Sequence, residues 1–253
     1  MKIQQIRNAT VKIEYGGTTF LVDPMLGKKG SFAPFPLSND RRKNPLYDLP
    51  CSIDEIISGV DAVIITHLHT DHVDETAFEV LPKQLKIFVQ NKADQKVFHS
   101  KGFADVEILN ELTQYRGITL SKTRCQHGKI PMLLFAGHVC GVVFSCTNEK
   151  TLYLTGDTIW YKRVQETIKK HNPDVILLNA GGNKFGVFRP VIMHQPDVLQ
   201  VHLACPNATL IASHMEGVNH NTVTRTALRQ FAVENGFSDK LFIPADGETI
   251  PLP

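Results

Sequence analysis

The chain has 253 residues, 42% of them hydrophobic, enough to bury a sizeable core within one unit of ordinary domain size. Its 27 Lys and Arg residues face 25 Asp and Glu residues, a net charge of +2, which leaves no electrostatic footprint for nucleic acid or for an anionic membrane surface. No run is long and apolar enough to span a bilayer, and the five cysteines (Cys51, Cys125, Cys140, Cys146 and Cys205) form no CxxC pair, so reduced thiols and a cytoplasmic chain are expected.

The first 23 residues alternate as two strands around a Gly16-Gly17 hairpin turn, without the apolar run of a secretory signal. Residues 24–52 carry Pro24, Pro34, Pro36, Pro45 and Pro50 and read as a long irregular loop. A loop of that length in a compact domain is expected to be functional, and residues 25–50 are expected to form a lid. Asp61 to Thr66 is an apolar run of strand length. A helix over 74–81, a strand over 86–89, a helix over 92–101 and a strand over 118–125 follow. Two more strands are expected within 132–146 and 151–155. Trp160, Val164 and Ile168 recur at helical spacing up to Asn172-Pro173. Strands over 174–178, 209–213 and 241–244 then alternate with helices over 196–204 and from Val223 to Gly236. There is no internal repeat. The pattern is mixed α/β in a single domain, 1–253.

The chemistry concentrates in Thr66 to His72, where His67, His69, Asp71 and His72 fall directly after an apolar strand. Imidazole and carboxylate together suit Zn²⁺ and related divalent ions. In extended chain His67 and His69 point the same way, and a turn toward the helix near Asp74 swings Asp71 and His72 to a second position. One segment cannot complete two coordination shells. His127, Asp157 and His214 each stand just past the end of another predicted strand, where functional side chains gather on rigid scaffolds. Any one of them alone could equally cap or face solvent; their repeated placement makes the case.

This series of residues, with Thr155-Gly156-Asp157 and the early Phe20-to-Pro24 strand, resembles the metallo-β-lactamase superfamily over nearly the whole chain. The segments Thr155–Tyr161, Leu178–Gly182, His214–His220 and Pro244–Glu248 resemble its ascorbate-phosphate lactonase-like branch of metal-dependent hydrolases. The resemblance implies a four-layer αββα sandwich with two divalent metal ions, Zn²⁺ foremost, Mn²⁺ or Fe²⁺ as alternatives. It implies a first metal on His67, His69 and His127, a second on Asp71, His72 and His214, and Asp157 between them. An aspartate rather than a cysteine at that second site is similar to the hydrolase and phosphodiesterase branches. Asp23 and Asp246 are expected to hold ligand histidines from behind, with a turn aspartate as the competing reading of Asp246.

The expected activity is that of a metal-dependent hydrolase, in which a hydroxide shared by two metals attacks a small, anionic ester or lactone. Asp71 would orient that hydroxide, and His220 would give a proton to the leaving group; a structural histidine near a helix start is the competing reading of His220. Lys28, Lys29, Arg41, Arg42 and Arg189 could attract an anion or simply face solvent. Trp160 and Tyr161 could wall the pocket or join the core. The amides of Asn179, Gly181 and Gly182 could serve an oxyanion or make a turn. The competing functions are a phosphodiesterase of the same fold on a small phosphodiester, a di-iron redox protein, and a scaffold with a dead site. The expected partner is a small-molecule substrate, not nucleic acid or membrane. The sequence leaves the oligomeric state open, homo-oligomers included.

Overall fold

The first 22 residues form three strands, not two: β1 (Lys2–Arg7), β2 (Thr10–Tyr15) and β3 (Thr18–Val22), in the computed structural model, which describes residues 1–252. The additional turn is at Asn8, which takes a left-handed φ of 54°. Asparagine tolerates that region because its short amide can bond locally. Gly16 and Gly17, both at positive φ, make the second turn, as their sequence signal predicts.

The first sheet continues through β4 (Ala62–Ile64), β5 (Lys86–Val89) and β6 (Val106–Ile108), and β14 (Thr249–Pro251) pairs with β1 at its other edge. The second sheet runs in sequence order from β7 (Thr113–Tyr115) through β8 (Ile118–Arg124), β9 (Cys140–Ser145), β10 (Leu152–Leu154), β11 (Val175–Asn179) and β12 (Thr209–Ser213) to β13 (Leu241–Phe242). Residues 132–139 do not join β9: Met132–Leu134 is a 3-10 turn, and Gly128 and Gly137 on either side adopt φ values of 89° and 70°. Pro131 and the two left-handed glycines stop an extended ladder there.

Strand periodicity explains the layering. Ala62 and Ile64 of β4, Phe88 of β5, Val142 and Phe144 of β9, and Leu152 and Leu154 of β10 face inward between the sheets. Their neighbours Val63, Ile87 and Val89 face helices α1 (Ile53–Ile57), α2 (Glu75–Val80) and α3 (Lys92–Ser100). Val143, Tyr153, Ile176 and Leu178 face α4 (Lys162–His171), α5 (Gln195–Ala204) and α6 (Arg225–Glu234). The αββα sandwich follows from this alternation. At its centre Phe144 meets Phe20 and Tyr15 edge to face, at 5.4 and 5.6 Å between centroids. Each such pair contributes about 0.5–1.5 kcal/mol beyond area burial.

Register places the site. β3, β4, β5 and β6 are parallel, as are β10, β11, β12 and β13, with Val22 beside Ile64 and Asn179 beside Ser213. β8 and β10 both run antiparallel to β9, so β8 ends at the same edge as β10. The segments that follow β3, β4, β8, β10 and β12 therefore converge on one edge of the sandwich.

Candidate metal centre

Each ligand side chain is delivered by one of those strand ends. After β4, the Thr66 amide donates to Asp23 Oδ1 at 2.7 Å and its hydroxyl donates to Asp23 Oδ2 at 2.7 Å. The same Oδ2 accepts from His72 Nδ1 at 2.8 Å. One aspartate past β3 thus fixes both ends of the histidine-rich loop. The loop closes where the His72 and Val73 amides donate to His69 O, and Asp74 caps α2 through the Ala77 amide. Asn8 ties the far side: its Nδ2 donates to Asp71 O at 2.9 Å, and its own carbonyl accepts from the His214 amide at 2.9 Å. His214 adopts a φ of 57°, a left-handed conformation that costs energy for a residue with a Cβ.

The seven expected ligands come together. The ligand atoms of His67, His69 and His127 lie within 4.8 Å of one another, as do those of Asp71, His72 and His214. Asp157 faces both groups: Oδ2 is 3.2 Å from His72 Nε2, 3.6 Å from His127 Nε2 and 3.9 Å from His67 Nε2, while Oδ1 is 3.8 Å from His214 Nε2. Asn179 Nδ2 steadies that carboxylate, donating to Oδ1 at 2.7 Å. His67 Nε2 and His69 Nδ1 approach to 2.9 Å, and His72 Nε2 and His214 Nε2 to 3.0 Å.

The electrostatics suit cations. His127 Nδ1 lies 2.9 Å from the Val191 carbonyl, which can only accept, so its Nε2 keeps a lone pair for the cluster. Burial, reinforced by the neighbouring imidazoles, holds His67 well below the ordinary histidine value and lowers His69 to about 4. Burial likewise lowers His127. These rings are neutral at pH 7, the state in which imidazole ligates. Burial alone would raise Asp71 and Asp157, but the surrounding histidines hold both well below the usual carboxylate range. Burial opposes a charge on His72, yet Asp157 and Asp23 hold it well above its ordinary value. A nitrogen-rich set around buried carboxylates is a fit donor set for two divalent ions of the Zn²⁺, Mn²⁺ or Fe²⁺ type. His67, His69 and His127 would hold one, Asp71, His72 and His214 the other, with Asp157 between them.

Asp246 does something other than expected. It pairs with Arg225, whose Nη1 also donates to Glu216 Oε2 at 2.7 Å, and it touches no ligand histidine. Its turn lies behind the loop that follows His214, so it braces that loop through Arg225. Asn8 was missed because nothing in a two-residue turn announces contacts made with Asp71 and His214, far along the chain.

A cavity of about 400 Å³ opens onto Asp71, His127, Asp157 and His220. Its other walls are apolar, chiefly Phe35 and Leu37 from the proline-rich loop, Met132 and Phe135 beside the 3-10 turn, and Phe185. No Lys or Arg lines it; of the basic residues considered as anion binders, Arg42 is engaged by Asp40. Trp160 and Tyr161 lie outside it, and the Tyr161 hydroxyl donates to Arg124 O at 2.8 Å. The Gly182 amide is spent on Met193 O at 3.0 Å, and a Cβ at Gly181 would lie 2.1 Å from His214 O. Both positions need glycine for close packing, and neither residue lines the cavity. The proline-rich loop lines the cavity and is tied to the segment after His214: Asn219 Oδ1 accepts from the Phe35 amide and from Asn44 Nδ2, both at 2.9 Å. The Asn219 amide donates back to Asn44 Oδ1 at 2.8 Å.

Residues 18–215 match the family model described as a beta-lactamase superfamily domain. The UPF0173 protein YddR of Bacillus subtilis is 47% identical over 251 residues, 98% of this chain and 99% of that one. Among solved structures, the chain is similar to a possible metal-dependent hydrolase from Veillonella parvula, with 40% identity and a TM-score of 0.97 over 100% of this chain and 99% of that one. It is also similar to an isothiocyanate hydrolase from Delia radicum gut bacteria, with 39% identity and a TM-score of 0.95 over the same shares. With its His and Asp cluster at the shared edge of an αββα sandwich, the chain belongs to the beta-lactamase superfamily and is a metal-dependent hydrolase of the metallo-β-lactamase fold.

Proposed function

We propose that this hydrolase acts on a small, uncharged, apolar electrophile, an organic isothiocyanate in the first instance. The observation that carries the reading is the cavity: an apolar chamber without a cationic side chain, opening directly onto the metal ligands. Such walls accept a hydrocarbon group and offer nothing to a phosphate or carboxylate, so the anionic ester or lactone expected from the sequence fits them less well. The 39% identity to an isothiocyanate hydrolase over the whole chain supports the same class.

Two divalent ions, when bound, supply an activated water at neutral pH and charge stabilisation for the atom that becomes negative. The chain does the rest. Asp71 stays ionised and orients the attacking water as an acceptor. Phe35, Met132 and Phe185 wall the chamber and seat the hydrocarbon group, with Phe135 at its rim. Water adds through oxygen to the central carbon of R–N=C=S, and the C=N electron pair moves to nitrogen, which takes a proton. The C–N bond of that thiocarbamate then breaks, nitrogen takes the second proton, and the products are R–NH₂ and carbonyl sulfide.

The test is a panel of benzyl and allyl isothiocyanate, an apolar lactone and a small phosphodiester, assayed with Zn²⁺-, Mn²⁺- or Fe²⁺-loaded protein. Amine release from the isothiocyanates, lost in Asp157→Ala, is the expected result. Turnover of the lactone or the phosphodiester in their place would replace the substrate reading, and oxygen consumption by the Fe²⁺ form would replace hydrolysis by redox chemistry.

A further inference from the structure

His220 is 5% exposed and borders the cavity beside Asp71 and Asp157. Its ring stands between Phe35 and Phe185, at 4.3 and 4.9 Å between centroids, and its Nε2 lies 3.1 Å from Asn183 Nδ2. Its Nδ1 is buried and has no partner among the described residues.

The proton on this ring can be placed by following the amides back to an unambiguous donor. The Val218 backbone amide donates to the side chain of Asn221 at 2.9 Å, so the atom it meets is Asn221 Oδ1. Asn221 must then turn its NH₂ the other way, where it donates to Asn183 Oδ1 and, at 3.2 Å, to the carbonyl of the ligand His214. With its oxygen engaged, Asn183 can only present its NH₂ to His220. His220 Nε2 is therefore an acceptor, and a neutral ring so held carries its hydrogen on Nδ1. Gly181 makes room for this chain: a Cβ there would lie 2.4 Å from Asn221 Nδ2 and 2.9 Å from Asn183 Oδ1. Burial keeps the ring neutral at pH 7, lowering His220 to about 4. A neutral imidazole is a poor source of a whole proton, which argues against the leaving-group acid expected from the sequence, but it is a good hydrogen-bond donor.

We infer that His220 is a catalytic hydrogen-bond donor, presenting Nδ1–H to the substrate atom on which negative charge develops, and that Asn183 and Asn221 are positioning residues that fix this tautomer. The role rests on the hydrolase reading above but not on which substrate of the panel is turned over.

The experiment uses Zn²⁺-loaded protein with ¹⁵N-labelled histidine. Long-range ¹H–¹⁵N correlations, assigned through His220→Gln, are expected to show a protonated Nδ1 and an unprotonated Nε2 at His220. They are expected to show the reverse in Asn183→Asp, whose carboxylate accepts from Nε2. On whichever panel substrate the protein hydrolyses, His220→Gln is expected to lower kcat by about 10²-fold at unchanged metal content, on the scale of losing one oxyanion donor. His220→Asn, whose NH₂ falls near the place of Nδ1, is expected to recover part of that loss. An Nε2–H tautomer in the parent protein, or an unchanged kcat in His220→Gln, would overturn the inference. Hydrolysis of the lactone instead of the isothiocyanates would overturn only the substrate reading, because the tautomer is measured without substrate.

Discussion

The two halves of the candidate metal centre are built to different standards of rigidity. Behind the second half, the Asp23 carboxylate grips His72, and Asn8 joins the backbones of Asp71 and His214 in one contact set. Behind the first half there is less: His127 leans on the Val191 carbonyl, His67 Nδ1 on the Thr66 hydroxyl at 3.1 Å, and His69 is half-buried at the cavity wall. A site whose ligands are held by buried, charge-assisted bonds is preorganised, so little ordering remains to oppose metal binding. The comparison teaches that the second position is the more firmly braced of the two, although the cavity opens onto Asp71 of the second as well as onto His69 and His127 of the first.

Removing the shared residue should have the largest effect. Asp157→Ala takes a carboxylate from both halves, and turnover is expected to fall by at least about 10³-fold, since metal ions supply several kcal/mol of transition-state stabilisation. Elemental analysis should find metal lost from both positions. Asp23→Ala sharpens the asymmetry: it frees His72 directly and His67 only through Thr66, and metal affinity is expected to drop about 10- to 100-fold, more at the second position than at the first. Titration with a competing chelator checks it, and equal loss at both positions would break the comparison.

Acid should loosen the site through two imidazoles. His69 and His220 are both lowered to about 4 in the fold, against about 6.5 in an unfolded chain. The unfolded chain binds more protons between those values, so this contribution to stability is fully present above about pH 6.5 and is lost as pH falls toward 4. His72, raised between its carboxylates, contributes with the opposite sign: its share is present below about 6.5 and is lost as pH rises through its folded value. Thermal melts of chelator-treated protein from pH 7.5 to 4 should therefore decline on the acid side, and His220→Gln should flatten that slope. The smallest effect is expected at the rim. Phe135 is 79% exposed, so Phe135→Ala should leave the melting temperature unchanged while raising KM for benzyl isothiocyanate more than for the allyl compound.

Much of this was legible in the sequence for a local reason. A strand shows itself by a period of two, and a ligand cluster such as His67, His69, Asp71 and His72 is compact in the chain, so its chemistry can be read without coordinates. His127, Asp157 and His214 could be found because each follows its own apolar strand, and β8, β10 and β12 all end at the same edge of the second sheet. Left to tertiary structure was everything that depends on residues distant in sequence. Asp23 and Asp246 are both aspartates beside strand ends, yet Asp23 meets His72 across 49 positions while Arg225 takes Asp246. Asn8 and Asn183 look like ordinary turn asparagines until the fold sets them against ligand backbones and His220. The character of the cavity was likewise decided late, because Phe35, Phe135 and Phe185 come from three separate irregular segments. Periodicity says nothing of where such segments fold back; only the packing of the two sheets brings them over the metal ligands.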